Sequence, residues 1–161
     1  MRRIGIVFFA CLWACGAEPA PEPEVPDGTG EATSPAAVCI AEADAGEGLP
    51  DAHPSRISVN HILVKHVAAK RAPESVTRTR EEACLRALEA LGKLKSGSDF
   101  DQLVADYSDE EGAATRSGSV GSIKPDDVLP AFAAAAFALE LNQVSNVVET
   151  PSGFHIILRT E

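Results

Sequence analysis

The chain predicts an α+β domain on an antiparallel or mixed sheet, set behind a long N-terminal extension. Three observations carry this reading. Apolar residues alternate with period two in RISVNHILVKH (56–66) and in SNVVETPSGFHIILRTE (145–161), as in half-buried strands. Between these stretches, apolar residues recur at helical spacing in three places. The resulting order, β-α-α-β-α-β-β, lacks the regular βαβ alternation of doubly wound folds.

The first element is an address. MRRIGIVFFACLWAC opens with Arg2 and Arg3, followed by an apolar run from Ile4 to Ala14. A charged start and an apolar stretch of this length predict a signal peptide over 1–14. Leu12-Trp13-Ala14-Cys15 resembles a bacterial lipobox, with the bulky Trp13 as its one departure. That resemblance implies lipidation of Cys15 and attachment to the membrane by the lipid, on the periplasmic side of a bacterial envelope, without a spanning helix. Residues 15–55 are rich in Pro, Glu, Ala and Gly and show no sustained apolar period, so they predict a flexible acidic tether. The domain itself is expected over 56–161.

Within the domain the first strand covers 56–66. Thr79 and Glu82 form the T-x-x-E capping pattern of a helix that runs to about residue 95 and stops at Gly97. Its core stripe is Ala87, Leu88, Leu91 and Leu94. Asp99 opens a shorter helix with Phe100, Leu103, Val104 and Tyr107 inward. SDEEGAATRSGSVGSI reads as a Gly- and Ser-rich loop ending in a strand over 120–123. PAFAAAAFALEL (130–141) is the third helix. Two final strands are joined by a turn at Pro151-Ser152-Gly153.

The formal charge is −10, which excludes nucleic acid as a partner. The acidity lies mainly in the extension: residues 1–54 hold 2 basic and 9 acidic residues, against 12 and 15 in residues 55–161. Cys39 and Cys84 remain once the signal and lipid site are set aside. An oxidising compartment permits a bridge between them, while Cys84 also reads as a small buried hydrophobe, and both readings stay open.

The four histidines carry the functional question. His61, Leu63 and Lys65 share one face of the first strand, and Ile62, Val64 and His66 the other. His155 sits in the last strand on the face of Ile157. A small sheet can bring His61 and His155 together. Too few ligands gather for a metal, since His66 points away and His53 lies in the tether. No G-x-S-x-G elbow accompanies a Ser-His pair.

Taken in order, HILVKH, TREEACLRALEALGKLKSGSDFDQLVADYSDE, SGSVGSI, LPAFAAAAFAL and VVETPSGFHIILRTE resemble the parvulin-type peptidyl-prolyl isomerases over 57–161. The resemblance implies a sheet of about four strands surrounded by about four helices. It implies a histidine pair at His61 and His155, hydroxyls at Thr150 and Ser152, and an acid at Glu110. A proline pocket falls on Val120, Val128, Leu129, Phe132 and Phe137. A cluster for an acidic or phosphorylated residue falls on Lys65, Lys70 and Arg71. The implied activity is cis-trans isomerisation of X-Pro bonds in exported polypeptides by a monomer, with no cofactor and no metal. The alternative is a non-catalytic, chaperone-like module that holds Pro-containing or acidic segments.

Overall fold

Strand alternation organises the molecule, for which a computed structural model describes residues 34–44 and 48–161. The expected signal and Cys15 lie outside these residues. The central strand β1 (Ile57–Val64) pairs on one side with β2 (Ser119–Ile123) and on the other with β4 (Gly153–Arg159), and β3 (Val148–Thr150) closes the far edge. The order is β2-β1-β4-β3 and every pairing is antiparallel.

Directly opposed residues share a face of the sheet. Ile62 pairs with Ile156 and Val64 with Phe154, which builds the apolar centre of one face. Onto it pack the helices α2 (Arg80–Lys95) and α3 (Phe100–Tyr107), through Ala83, Ala87, Ala90, Leu91, Leu103 and Val104. Helix α2 starts as its sequence demands. The Thr79 hydroxyl accepts from the Glu82 N–H and the Glu82 carboxylate accepts from the Thr79 N–H, which satisfies two of the free donors at the helix start. The opposite face carries Ile57, Val59 and Ile157 and is covered by one helix, α4 (Pro130–Ala138), through Phe132, Ala133, Ala136 and Phe137. Helix α4 stops short of the expected residue 141, because Leu139 turns to extended backbone and buries its side chain.

A helix within the expected tether is the main departure from the sequence reading. Pro35–Asp44 form α1, with Cys39 and Ala43 buried against α2 and Cys39 bonded to Cys84. A lone helix of this length is marginal in water. The covalent link to α2 and the apolar contacts supply what local propensity lacks. Among the described residues, no helix is long and apolar enough to cross a membrane.

Candidate active site

The site grows from an irregularity in β1. The β1–β2 register slips between Val59 and Asn60, and β2 pairs no further along. The vacated edge of β1 is taken by the loop after α3. The His61 N–H donates to the Gly118 carbonyl (2.8 Å), the Leu63 N–H to the Ser108 hydroxyl (3.2 Å), and the Lys65 N–H to the Asp109 carboxylate (2.8 Å). The Asp109 N–H returns a bond to the Leu63 carbonyl (2.7 Å), and Arg78 holds the same carboxylate. Gly118 lies against the His61 backbone with φ +68, where a Cβ would collide with the His61 carbonyl oxygen. This stitching sets Glu110 beside His61.

Leu63 pairs with His155 and His61 with Ile157, so the two imidazoles are diagonal neighbours on one face. Their Nδ1 atoms lie 3.1 Å apart. His61 Nε2 lies 3.0 Å from Glu110 Oε2, and His155 Nε2 lies 2.8 Å from Thr150 Oγ1. Both histidines and Thr150 are buried. Burial pushes the His155 imidazole down to about 3, helped by the nearby His61. Glu110 is held down at about 2, first by its bond to His61 and further by Arg116.

The Glu110 carboxylate only accepts, so His61 Nε2 carries a proton towards it. The two Nδ1 atoms share one proton between them, and Thr150 Oγ1 closes the chain at His155 Nε2. The polar contacts run unbroken from Thr150 through His155 and His61 to Glu110. The ring of Phe132 stands edge-on to both imidazoles, with centroids 5.8 Å from His61 and 5.3 Å from His155.

Above this floor opens a cleft of about 550 Å3, lined by apolar Leu63, Val120, Val128, Leu129 and Phe132 together with His61, His155, Glu110 and Ser152. Lys70, Arg71, Asp127 and Pro151 form the rest of its lining. The Lys70 N–H donates to the Pro151 carbonyl (2.7 Å), which ties the basic loop to the β3–β4 turn.

Several expected residues fall elsewhere. Phe137 does not line the cleft: it is buried in the α4 layer, where the ring of His53 meets it at 5.4 Å. The Lys65 ammonium donates to the Arg71 carbonyl (2.9 Å), so it holds the loop that presents Lys70 and Arg71 rather than facing the cleft with them. Thr150 lies behind His155, and Ser152 joins the network through its backbone N–H, which donates to Thr150 Oγ1 (3.1 Å). His66 is buried on the other face against Phe154, as the alternation requires.

Leu63 and Arg116 are among the site residues that the sequence reading does not assign. Leu63 was identifiable by sharing a strand face with His61. Arg116 was not, because only the fold of the 110–119 loop brings it to Glu110. Its guanidinium bonds the Glu110 oxygen that His61 uses, and also the carbonyls of Glu111 (3.0 Å) and Ser119 (3.1 Å). Among the described residues, no group of three or more His, Cys, Asp or Glu gathers to hold a metal ion.

A family model for rotamase (PPIC-type PPIASE) domains matches residues 61–161. The chain is 40% identical over 108 residues to the peptidyl-prolyl cis-trans isomerase pin1 of Schizosaccharomyces pombe, covering 65% of this chain and 62% of that one. It is 32% identical over 124 residues to the chaperone SurA of Methylococcus capsulatus, covering 77% of this chain and 26% of that one. Among solved structures, the peptidyl-prolyl isomerase ESS1 from Candida albicans superposes with a TM-score of 0.63 at 31% identity, over 66% of this chain and 63% of that one. The chain therefore spans less than two thirds of the length of these relatives.

Proposed function

Since the chain belongs to the family of PPIC-type peptidyl-prolyl isomerase (rotamase) domains, we propose that it is a peptidyl-prolyl cis-trans isomerase for exported polypeptides, working by non-covalent twisting of the X-Pro amide. The observation that carries this reading is the hydrogen-bond chain from Thr150 through His155 and His61 to Glu110, lying under an apolar cleft walled by Phe132.

A planar amide resists rotation by about 18–20 kcal/mol because conjugation moves charge from nitrogen onto the carbonyl oxygen. Twisting returns that charge. An environment that solvates the planar amide poorly therefore favours the twisted one. Phe132, Leu63, Val128 and Leu129 take the prolyl ring and exclude water. The floor offers a neutral His155, and the Glu110 charge is balanced by Arg116. Glu110 thus anchors His61 instead of acting as a free anion against the carbonyl. The relay keeps both imidazoles in one orientation, so the cleft is shaped before substrate arrives. Lowering the barrier by about 4 kcal/mol gives about a thousandfold acceleration.

A second specificity is favoured by Lys70 and Arg71 at the rim, which suit an acidic or phosphorylated residue before the proline. Cis-trans exchange on peptides with Ala, Leu, Glu or phospho-Ser before Pro separates the readings. Acceleration across the panel supports the isomerase. A preference for Glu and phospho-Ser over Leu supports the rim cations. Binding without acceleration on any member would leave a holding module and overturn the isomerase.

Export and lipid attachment at Cys15 are part of the proposal. They are supported by the MRRIGIVFFACLWAC pattern and by the Cys39–Cys84 disulfide, which suits an oxidising compartment. Cys15→Ala should release the protein from the membrane fraction; continued association would refute lipidation there.

A further inference from the structure

A second concavity shares a wall with the candidate active cleft. Val128 lines both the cleft and a neighbouring groove of about 500 Å3. The groove is walled by Leu49 on one side and by Pro130 and Ala131 of α4 on the other, and Asp126 is the one charged residue in its lining. Leu49 is 43% exposed, and Leu129, next to Val128 at the cleft edge, is 41% exposed.

Leu49 belongs to the arm over 48–56 that leads from α1 into β1. The arm is held from both ends. Upstream, α1 is bonded to α2 through Cys39 and Cys84; downstream, the His53 ring packs on Phe137 of α4. The family match begins at residue 61, so Leu49 lies upstream of the matched domain. On the α4 side, the small Ala131 leaves width and Pro130 has no N–H to donate. Such a lining suits an apolar side chain and not an added strand.

We infer that this groove is a second subsite, which takes an apolar side chain from the same polypeptide whose proline occupies the cleft. It gives the protein a preference for client segments with Leu, Ile, Val or Phe a few residues from the proline. The inference rests on the isomerase reading and on the continuity of the two sites through Val128. An unfolded client chain carries the proline and the apolar residue together, so one segment fills both.

The test uses the full chain with its disulfide intact. A short Leu-Pro peptide covers the cleft alone; longer ones place Leu, or Ser as a control, at successive positions on either side of the proline. At one or more positions, Leu should lower KM about three- to tenfold relative to Ser, as an open apolar contact gives. Leu49→Ser and Ala131→Asp should each remove that difference and leave turnover of the short peptide unchanged. Leu49 is at the surface, so its variant guards against a folding defect at Ala131. Equal handling of Leu and Ser at every position would overturn the subsite, as would a Leu preference that survives both substitutions. Sedimentation that finds a dimer dissociated by Leu49→Ser would assign the groove to a second copy and overturn it too. Failure to isomerise even the short peptide would overturn the isomerase reading instead.

Discussion

The two faces of the sheet come from alternate residues of the same strand pair, yet they are built differently. One face presents Ile62, Val64, Phe154 and Ile156, all fully buried under α2 and α3 with α1 beside them. The other presents His61, Leu63, His155 and Ile157 under a single helix. Buried polar atoms are tolerated there because each finds a partner along the chain from Thr150 to Glu110. The densely packed face fixes the strands, and the strands fix the imidazoles on the face left open for a ligand. Stability and chemistry are thus divided between neighbouring residues of one strand.

The division can be broken from either side with a phenylalanine. Phe154→Ala should lower the unfolding free energy in urea by about 3–5 kcal/mol, the usual range for a fully enclosed ring. The rate per folded molecule should stay within about twofold of wild type. Phe132→Ala should do the reverse. The space it leaves joins the open cleft, so stability should fall by only about 2 kcal/mol, while kcat/KM falls about a hundredfold, the equivalent of about 2.7 kcal/mol of barrier.

A finer test removes one polar partner. Thr150→Val takes the hydroxyl from His155 Nε2 and the acceptor from the Ser152 N–H. Stability should drop by about 1–3 kcal/mol, and the rate by about tenfold. Thr150→Ser, which keeps the hydroxyl, should recover most of both.

Acid should expose the same asymmetry. His155 stays neutral in the fold down to about 3, whereas an unfolded histidine takes a proton below 6.5. The unfolded state therefore binds more protons in that window. Stability is full above about pH 6.5 and is lost as the pH falls, by at most about 1.4 kcal/mol per unit. Glu110, held at about 2 against 4.5 in the unfolded chain, adds a second and screened loss below pH 4.5. Urea titrations at pH 7 and pH 5 should differ by about 1–2 kcal/mol from this source. Replacing His155 with Gln should flatten that difference.

Much of this layout was legible in the residues. Alternation placed His61 and His155 on defined strand faces, and the T-x-x-E signal placed the start of α2 at Thr79. Asp99 likewise caps α3 as its position implied, accepting from the Gln102 N–H. What escaped depended on long-range encounters. Helix α1 has no strong periodic signal of its own and exists through Cys84, 45 residues away. Arg116 reaches Glu110 only after the intervening loop folds back. Phe137 and Phe132 lie five residues apart on one short helix, and only the helix's orientation on the sheet decides which one meets the cleft. Lys65 shares a strand face with His61, but the backbone carbonyls of its own following loop capture the ammonium.

The most direct test of the central claim is the cis-trans exchange rate of a Leu-Pro peptide, measured by exchange NMR with the wild-type chain and with Phe132→Ala at equal folded concentration. Strong acceleration by the wild type that is mostly lost in Phe132→Ala is the expected result. No acceleration by the wild type, or equal acceleration by both proteins, would contradict an isomerase site on the face covered by α4.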